Sequence, residues 1–122
     1  MQIPALLTAT FFTLLAGCAS TAMPPVNSQA GALTDKAGMT LYVFDKDSAG
    51  KSACNGDCAV KWPPLIAAAN AQGGGDYSII SRNDGARQWA FKGKPLYLWF
   101  KDQKPGNTTG DGVNNVWHVA RP

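Results

Sequence analysis

The chain is poor in the residues that build most recognisable chemistry. It has one histidine, His118, and three cysteines among 122 residues. A single imidazole leaves any metal centre without a second nitrogen ligand. No Cys-x-x-Cys-His occurs, which excludes covalent c-type haem by motif, and the Cys-x-x-Cys spacing of thioredoxin-like redox sites is missing. No Ser-His-Asp order and no phosphate-cradling glycine loop stands out. Charge is absent from the whole N-terminal quarter, since no charged side chain precedes Asp35. The remainder carries 11 basic and 8 acidic residues, net +3, with no block of one sign. That balance is no nucleic-acid stripe. After the first sixteen residues no apolar run is long enough to span a bilayer.

What is present at the N-terminus is an address. Ala5 to Ala16 form an apolar region of signal-peptide length, ending in Leu15-Ala16-Gly17-Cys18. This matches the bacterial lipobox, in which cleavage precedes a lipid-modified cysteine. It departs from the usual pattern at Met1-Gln2-Ile3-Pro4, where no Lys or Arg supplies the n-region. The expected organisation is a leader over 1–17, lipidation at Cys18, a flexible tether over 18–32 and one domain over 33–122. Each buried methylene of an acyl chain contributes about 0.8 kcal/mol, so a triacylated cysteine would anchor the protein without a membrane-spanning helix. Ala19 follows the cysteine where Asp would signal inner-membrane retention, which favours the outer membrane, facing the periplasm or the surface. Residues 19–32 are small, polar and proline-bearing, a composition that reads as linker.

About 90 residues then remain, enough for one small core that a covalent staple would help. Cys54-Asn55-Gly56-Asp57-Cys58 offers one. In an extracytoplasmic compartment a disulfide is the simplest reading, worth about 2 kcal/mol for so small a ring. A metal or redox pair and free thiols are the alternatives.

Within the domain a pattern occurs twice. Gly38-x-x-Leu41-Tyr42-x-Phe44-x-x-Asp47 is followed 55 residues later by Gly93-x-x-Leu96-Tyr97-x-Trp99-x-x-Asp102. The register extends to Trp62 and Trp117. Repeats of this kind are supersecondary units sharing one core. The expected fold is mainly β: a small single domain of short antiparallel strands in two similar halves, about 33–72 and 76–122, related by a pseudo-two-fold. Strands are expected over Met39–Phe44, Tyr77–Ser81, Arg87–Phe91, Pro95–Phe100 and Val116–Ala120, with a hairpin turn at Asn83-Asp84-Gly85. Two helical turns are expected, one over Asp57–Trp62 capped by Asp57 and stopped by Pro63-Pro64, another over the alanine-rich Ile66–Ala71.

The repeated Tyr-x-aromatic-x-x-Asp, the lipobox and Cys-x-Gly-x-Cys-x-x-x-Trp-Pro-Pro-Leu together resemble a bacterial family. Its members are predicted lipoproteins with a YxFxxD-type motif, also described as secreted repeats of unknown function. Tyr42, Phe44, Asp47, Cys54, Gly56, Cys58, Trp62, Pro63, Pro64 and Leu65 carry the resemblance in the first copy. Tyr97, Trp99, Asp102, Trp117 and Val119 carry it in the second. The resemblance implies location and repeat architecture; it implies no enzymatic activity.

Each candidate site has a structural alternative. Tyr42, Phe44, Tyr97 and Trp99 lie at i and i+2 on strands, so each pair shares one face, either as core or as an exposed stacking platform. Leu41, Val43, Leu96 and Leu98 are apolar on the other face, which favours core. Asp47 and Asp102 close the two strands, either anchoring turn amides or forming a carboxylate pair. His118 is a low-ranked metal candidate, with Met39, Met23 or a cysteine as partner. The polar stretch 103–115 places Asn107, Asp111, Asn114 and Asn115 in a glycine-rich loop, as a solvated turn or an oxygen-ligand site lacking EF-hand spacing. The leading expectation is a non-enzymatic, lipid-anchored envelope binding module without a cofactor. Its loops at 50–61 and 103–115 would meet an envelope protein or small ligand. A metal- or redox-linked accessory protein using Cys54, Cys58 and His118 is the second reading. An enzyme acting on envelope polymers through Asp47 and Asp102 is the third.

Overall fold

The computed structural model describes Gln2 and residues 24–122. The leader expected over 1–17 lies outside the described residues apart from Gln2, and Cys18 lies outside them too. The described residues form seven short strands: β1 Val26–Gln29, β2 Ala32–Asp35, β3 Tyr42–Phe44, β4 Tyr77–Ser81, β5 Arg87–Phe91, β6 Lys94–Pro95 and β7 Trp117–Val119. One helical segment, α1 Asp57–Lys61, and a 3₁₀ turn at Val113–Asn115 complete them. The strands make three small antiparallel sheets, β1–β2, β3–β7 and β4–β5–β6. The fold is mainly β, as the alternation of aromatic and β-branched residues predicts.

Local chemistry explains most boundaries. The β4–β5 hairpin turns at Asn83-Asp84-Gly85, where Asp84 Oδ1 accepts the Ala86 N–H at 2.9 Å. Gly85 there adopts φ 86°, a left-handed value that a side chain would resist. α1 stops at Trp62, before the two prolines. Its N-cap is Gly56 without a side-chain cap, so Asp57 occupies the first turn and does not cap it.

Three further expectations require correction. The tether ends before residue 32, because Val26–Gln29 pairs with Ala32–Asp35 as a hairpin and the domain begins there. Small polar residues suffice for an exposed edge strand whose inward contact is Val26, packed against the core. Ile66–Ala71 forms no helix. Ile66 bridges Gln88, the Ala67 N–H donates to the Arg87 carbonyl, and the Arg87 guanidinium takes the carbonyls of Ala68, Ala69 and Ala71. Pairing with β5 thus overrides alanine propensity. The strand expected over Pro95–Phe100 is a ladder only at Lys94–Pro95, followed by bridges from Tyr97 to Tyr42 and to Pro64.

The two halves are interleaved rather than stacked. β7, from the end of the second half, pairs with β3 of the first: Tyr42 opposite Val119 and Phe44 opposite Trp117. In return, the end of α1 and the segment after it bond to the second half, the Phe100 N–H donating to the Lys61 carbonyl and the Leu98 N–H to the Pro63 carbonyl. The equivalence extends to single bonds. Leu33, Leu41 and Ala120 form a ring of three backbone hydrogen bonds of 2.8–2.9 Å, and Trp89, Leu96 and Leu65 form its counterpart at 2.9–3.0 Å. Each ring takes its third member from the other half. At the centre, Tyr42 and Tyr97 exchange both backbone bonds, at 2.8 and 3.0 Å.

Period-two alternation sends neighbouring residues to opposite faces, so two cores result. One gathers Leu33, Leu41, Leu65, Trp89, Phe91 and Leu96, with Val43 and Leu98 against it. The other gathers Tyr42, Tyr97, Trp62, Trp117 and Cys54, with Phe44 and Trp99 at its margin. Leu41 and Leu96 are equivalent and both fully buried. Leu41→Ala and Leu96→Ala are each expected to lower the unfolding free energy by about 2–5 kcal/mol. Urea unfolding followed by tryptophan fluorescence measures this. Each variant should lose both halves in one transition, and separate transitions would contradict the interleaving.

Candidate functional site

The second core is an ordered aromatic column. Phe44 stacks on Trp117 at 4.1 Å, Trp117 on Trp62 at 3.7 Å, and Trp62 on Trp99 at 3.9 Å between ring centroids. Interplanar angles are 9°, 4° and 30°. The order follows the repeat: the motif aromatic of each half stacks on the tryptophan of the other, and the two tryptophans meet at the pseudo-axis. Tyr42 stands edge-on to Trp62 and Tyr97 edge-on to Trp117, at 5.4 and 5.1 Å. Edge-to-face and offset stacks complement the ring quadrupoles and add about 0.5–1.5 kcal/mol per pair beyond burial.

The motif aspartates cross in the same way. Tyr42 donates its phenolic proton to Asp102 Oδ2 at 2.5 Å, and Tyr97 donates to Asp47 Oδ2 at 2.6 Å. Each aspartate also holds the loop that follows it. Asp47 accepts the Ala53 N–H at 2.7 Å, while Asp102 accepts the Thr109 N–H at 3.0 Å and its hydroxyl at 2.6 Å. The two carboxylates are therefore engaged in separate networks, each tied to one tyrosine. Burial, then the bond to Asp102, raises the Tyr42 phenol far above its ordinary range; burial, then Asp47, does the same for Tyr97. Burial also pushes the Asp47 carboxyl up, against the opposing pull of the Ala53 N–H, the Tyr97 hydroxyl and the nearby Arg82 charge.

Sequence reasoning missed Arg82, which it had no reason to separate from the exposed hairpin turn beside it. Its guanidinium is buried and makes three hydrogen bonds: Nη1 donates to Ser52 Oγ at 3.0 Å and Gln88 Oε1 at 2.7 Å, Nη2 to the Cys54 carbonyl. Ser52 Oγ in turn lies 2.7 Å from the Tyr97 hydroxyl. Arg82 thus ties the disulfide loop to the Tyr97–Asp47 pair. Gly110 was also missed. A Cβ there would lie 2.9 Å from both Trp62 and Trp99, so only glycine lets the second loop lie flat on the column.

Cys54 and Cys58 are disulfide-bonded, with Cα atoms 5.2 Å apart, and Cys54 is fully buried in the aromatic core. His118 lies on the opposite face of the β3–β7 pair, as the residue between Trp117 and Val119, and meets Asp45 at 2.7 Å. Both side chains of that pair are about half exposed, which leaves it little energetic weight. The three residues of the redox or metal reading are therefore not brought together. Among the described residues no cluster of three or more His, Cys, Asp or Glu side chains has metal-binding geometry. In the 103–115 loop, Asn107 Oδ1 accepts the Gln103 and Lys104 amides and Asp111 Oδ1 accepts the Val119 amide, so both serve the backbone.

The disulfide loop, through Cys58 and Lys61, and the 103–115 loop, through Asn114, face one space beside the column. Between them runs a groove of about 420 Å³. Trp62 and Trp117 form its buried lining, with Phe44 beside them, and Lys46, Lys61 and Asn114 its exposed lining. Cys58 and Val116 complete it, and no carboxylate lines it. Such a surface offers apolar contact at depth and two ammonium groups plus an amide at the rim, a layout suited to an anionic partner.

The raised phenols give the site a signature in alkali. The folded chain keeps phenolic protons that the unfolded chain releases near the ordinary value of 10.0. Stability is therefore complete below that pH and falls as pH rises beyond it. Tyrosinate absorbance on alkaline titration should show Tyr42 and Tyr97 ionising only with unfolding, and ionisation of all three tyrosines before loss of structure would contradict it.

Residues 25–66 and 78–121 each match the model of a family described as a secreted repeat of unknown function, so the two matches together span more than half of the chain. No curated protein and no solved structure matches the chain.

Proposed function

From the premise that this chain belongs to that secreted-repeat family, we propose that it is a lipid-anchored envelope protein acting as a non-enzymatic binding module. The groove between the disulfide loop and the 103–115 loop is its recognition surface. One observation carries this reading: the two segments in which the halves differ most, one stapled by Cys54–Cys58 and the other polar, converge on one groove over the shared column. A scaffold built on symmetry has its specific surface where symmetry is broken. The family's description as secreted is consistent with a place outside the cytoplasm.

Cys18 is the acylation site in this reading, and outer-membrane sorting follows from Ala19 beside it. No helix among the described residues is long and apolar enough to cross a membrane. The partner is acidic at its contact surface, because Lys46 and Lys61 line the groove and no carboxylate does. Asp47 and Asp102 act as structural anchors, which leaves the polymer-cleaving reading without a free carboxylate pair.

Two experiments test separate parts of this proposal. Fractionation of cells expressing Cys18→Ser should move the protein from the membrane to the soluble fraction, and unchanged membrane association would refute lipid anchoring. For the groove, in-cell crosslinking from a photoreactive residue at position 114 should capture a defined envelope partner. Lys46→Glu with Lys61→Glu should abolish that capture while leaving the thermal midpoint within a few degrees. Undiminished capture by the charge-reversed protein would sink the assignment of the groove.

A further inference from the structure

The same column has a second property that binding does not require. Three indoles, Trp99, Trp62 and Trp117, lie in contact at 3.9 and 3.7 Å, and the outer one, Trp99, is partly exposed while the inner two are buried. Stacked indoles in contact share an electron vacancy more readily than isolated ones. A tyrosine stands edge-on to each inner indole, fully buried, with its hydroxyl donated to a carboxylate oxygen at 2.5 or 2.6 Å. A phenol loses an electron easily only when its proton has a base to go to, and here each has one.

The outer indole is arranged in the opposite sense. Trp99 Nε1 is buried and has no hydrogen-bond partner. An unpaired buried donor is rare enough in folded proteins to call for an explanation. Its consequence is chemical: an oxidised Trp99 has no acceptor for its N–H proton, so it remains a radical cation and a strong oxidant. The electron vacancy then moves inward to the two phenols, each of which already donates its proton to a carboxylate oxygen. Trp89 and Tyr77 belong to the other core and stand outside this arrangement.

We propose that the Trp99–Trp62–Trp117 column and its two flanking tyrosines form a one-electron relay, taking up oxidising equivalents at the surface and holding them on Tyr42 or Tyr97. A one-electron oxidant of the small-radical class takes one electron from Trp99 and is itself reduced. Electrons from Trp62 and Trp117 refill the vacancy in turn. The last electron comes from a tyrosine, whose O–H bond breaks as the proton passes to Asp102 Oδ2 or Asp47 Oδ2. The products are a neutral tyrosyl radical and a protonated aspartate, so the protein has lost one electron and no proton. A one-electron reductant of the ascorbate class returns the electron, and the proton moves back to the phenol.

Pulse radiolysis of the full exported chain with azidyl radicals, which oxidise indoles, tests this directly. The tryptophanyl absorption should decay with a rate independent of protein concentration, matched by a rise of tyrosyl absorption. Tyr42→Phe with Tyr97→Phe should abolish the tyrosyl signal and leave the tryptophanyl radical long-lived, whereas Tyr77→Phe should change neither. Asp47→Asn with Asp102→Asn retains both phenols and removes their bases, and should slow the conversion. Trp99→Phe, at a partly exposed position, should lower the yield of tyrosyl radical by closing the entry point, and serves if the tyrosine variants fail to fold. A wild-type tryptophanyl signal that persists, or a tyrosyl signal undiminished in the double tyrosine variant or in Trp99→Phe, would overturn the relay.

Discussion

The hydrogen bond from each motif tyrosine to the aspartate of the other repeat is the constraint on which the molecule depends. Within one copy of Tyr-x-aromatic-x-x-Asp the two polar ends look like partners, since they lie only five residues apart. In the structure they are not. Tyr42 reaches Asp102 and Tyr97 reaches Asp47, across the point where the two tyrosines also exchange backbone hydrogen bonds. A phenol buried without a partner costs about 1–3 kcal/mol, and a carboxylate so placed costs more. Each repeat therefore leaves a buried phenol whose carboxylate acceptor the other repeat supplies. Neither half is complete alone.

Much else follows from that crossing. Bringing each aspartate beside the opposite tyrosine draws the chain after it across the pseudo-axis, so each half contributes its terminal segment to the other half's sheet. The motif aromatics then stack on the opposite tryptophans, and the four rings become one column. Because the aspartates also hold Ala53 and Thr109, the origin of each variable loop is fixed relative to the column. The loops are free to differ beyond those points. One acquired a disulfide and the Arg82 brace, the other a polar turn resting on Gly110. The groove, its lysines and the relay geometry are all consequences of one scaffold meeting two unlike loops.

The β class, the repeat and the β4–β5 hairpin were legible in the sequence because each rests on local chemistry: period-two alternation, a 55-residue register and an Asn-Asp-Gly turn. The two-faced burial of the aromatic strands was legible for the same reason, with Leu41 and Val43 apolar on the face opposite Tyr42 and Phe44. What was not legible is long-range. Nothing local distinguishes a tyrosine bonded to its own aspartate from one bonded 60 residues away. Ile66–Ala71 reads as a helix until β5 supplies partners for its backbone, and Val26–Gln29 reads as linker until β2 does. Arg82 looks like a surface cation because its acceptors, Ser52, Gln88 and the Cys54 carbonyl, come from three separate segments.

The crossing itself is open to direct measurement by double-mutant cycles on unfolding free energy. Tyr42→Phe combined with Asp102→Asn, and Tyr97→Phe combined with Asp47→Asn, should each show a coupling of about 1–3 kcal/mol. The pairings within one repeat, Tyr42 with Asp47 and Tyr97 with Asp102, should be additive to within about 0.5 kcal/mol. Strong coupling within a repeat, with additivity between repeats, would contradict the account at its centre.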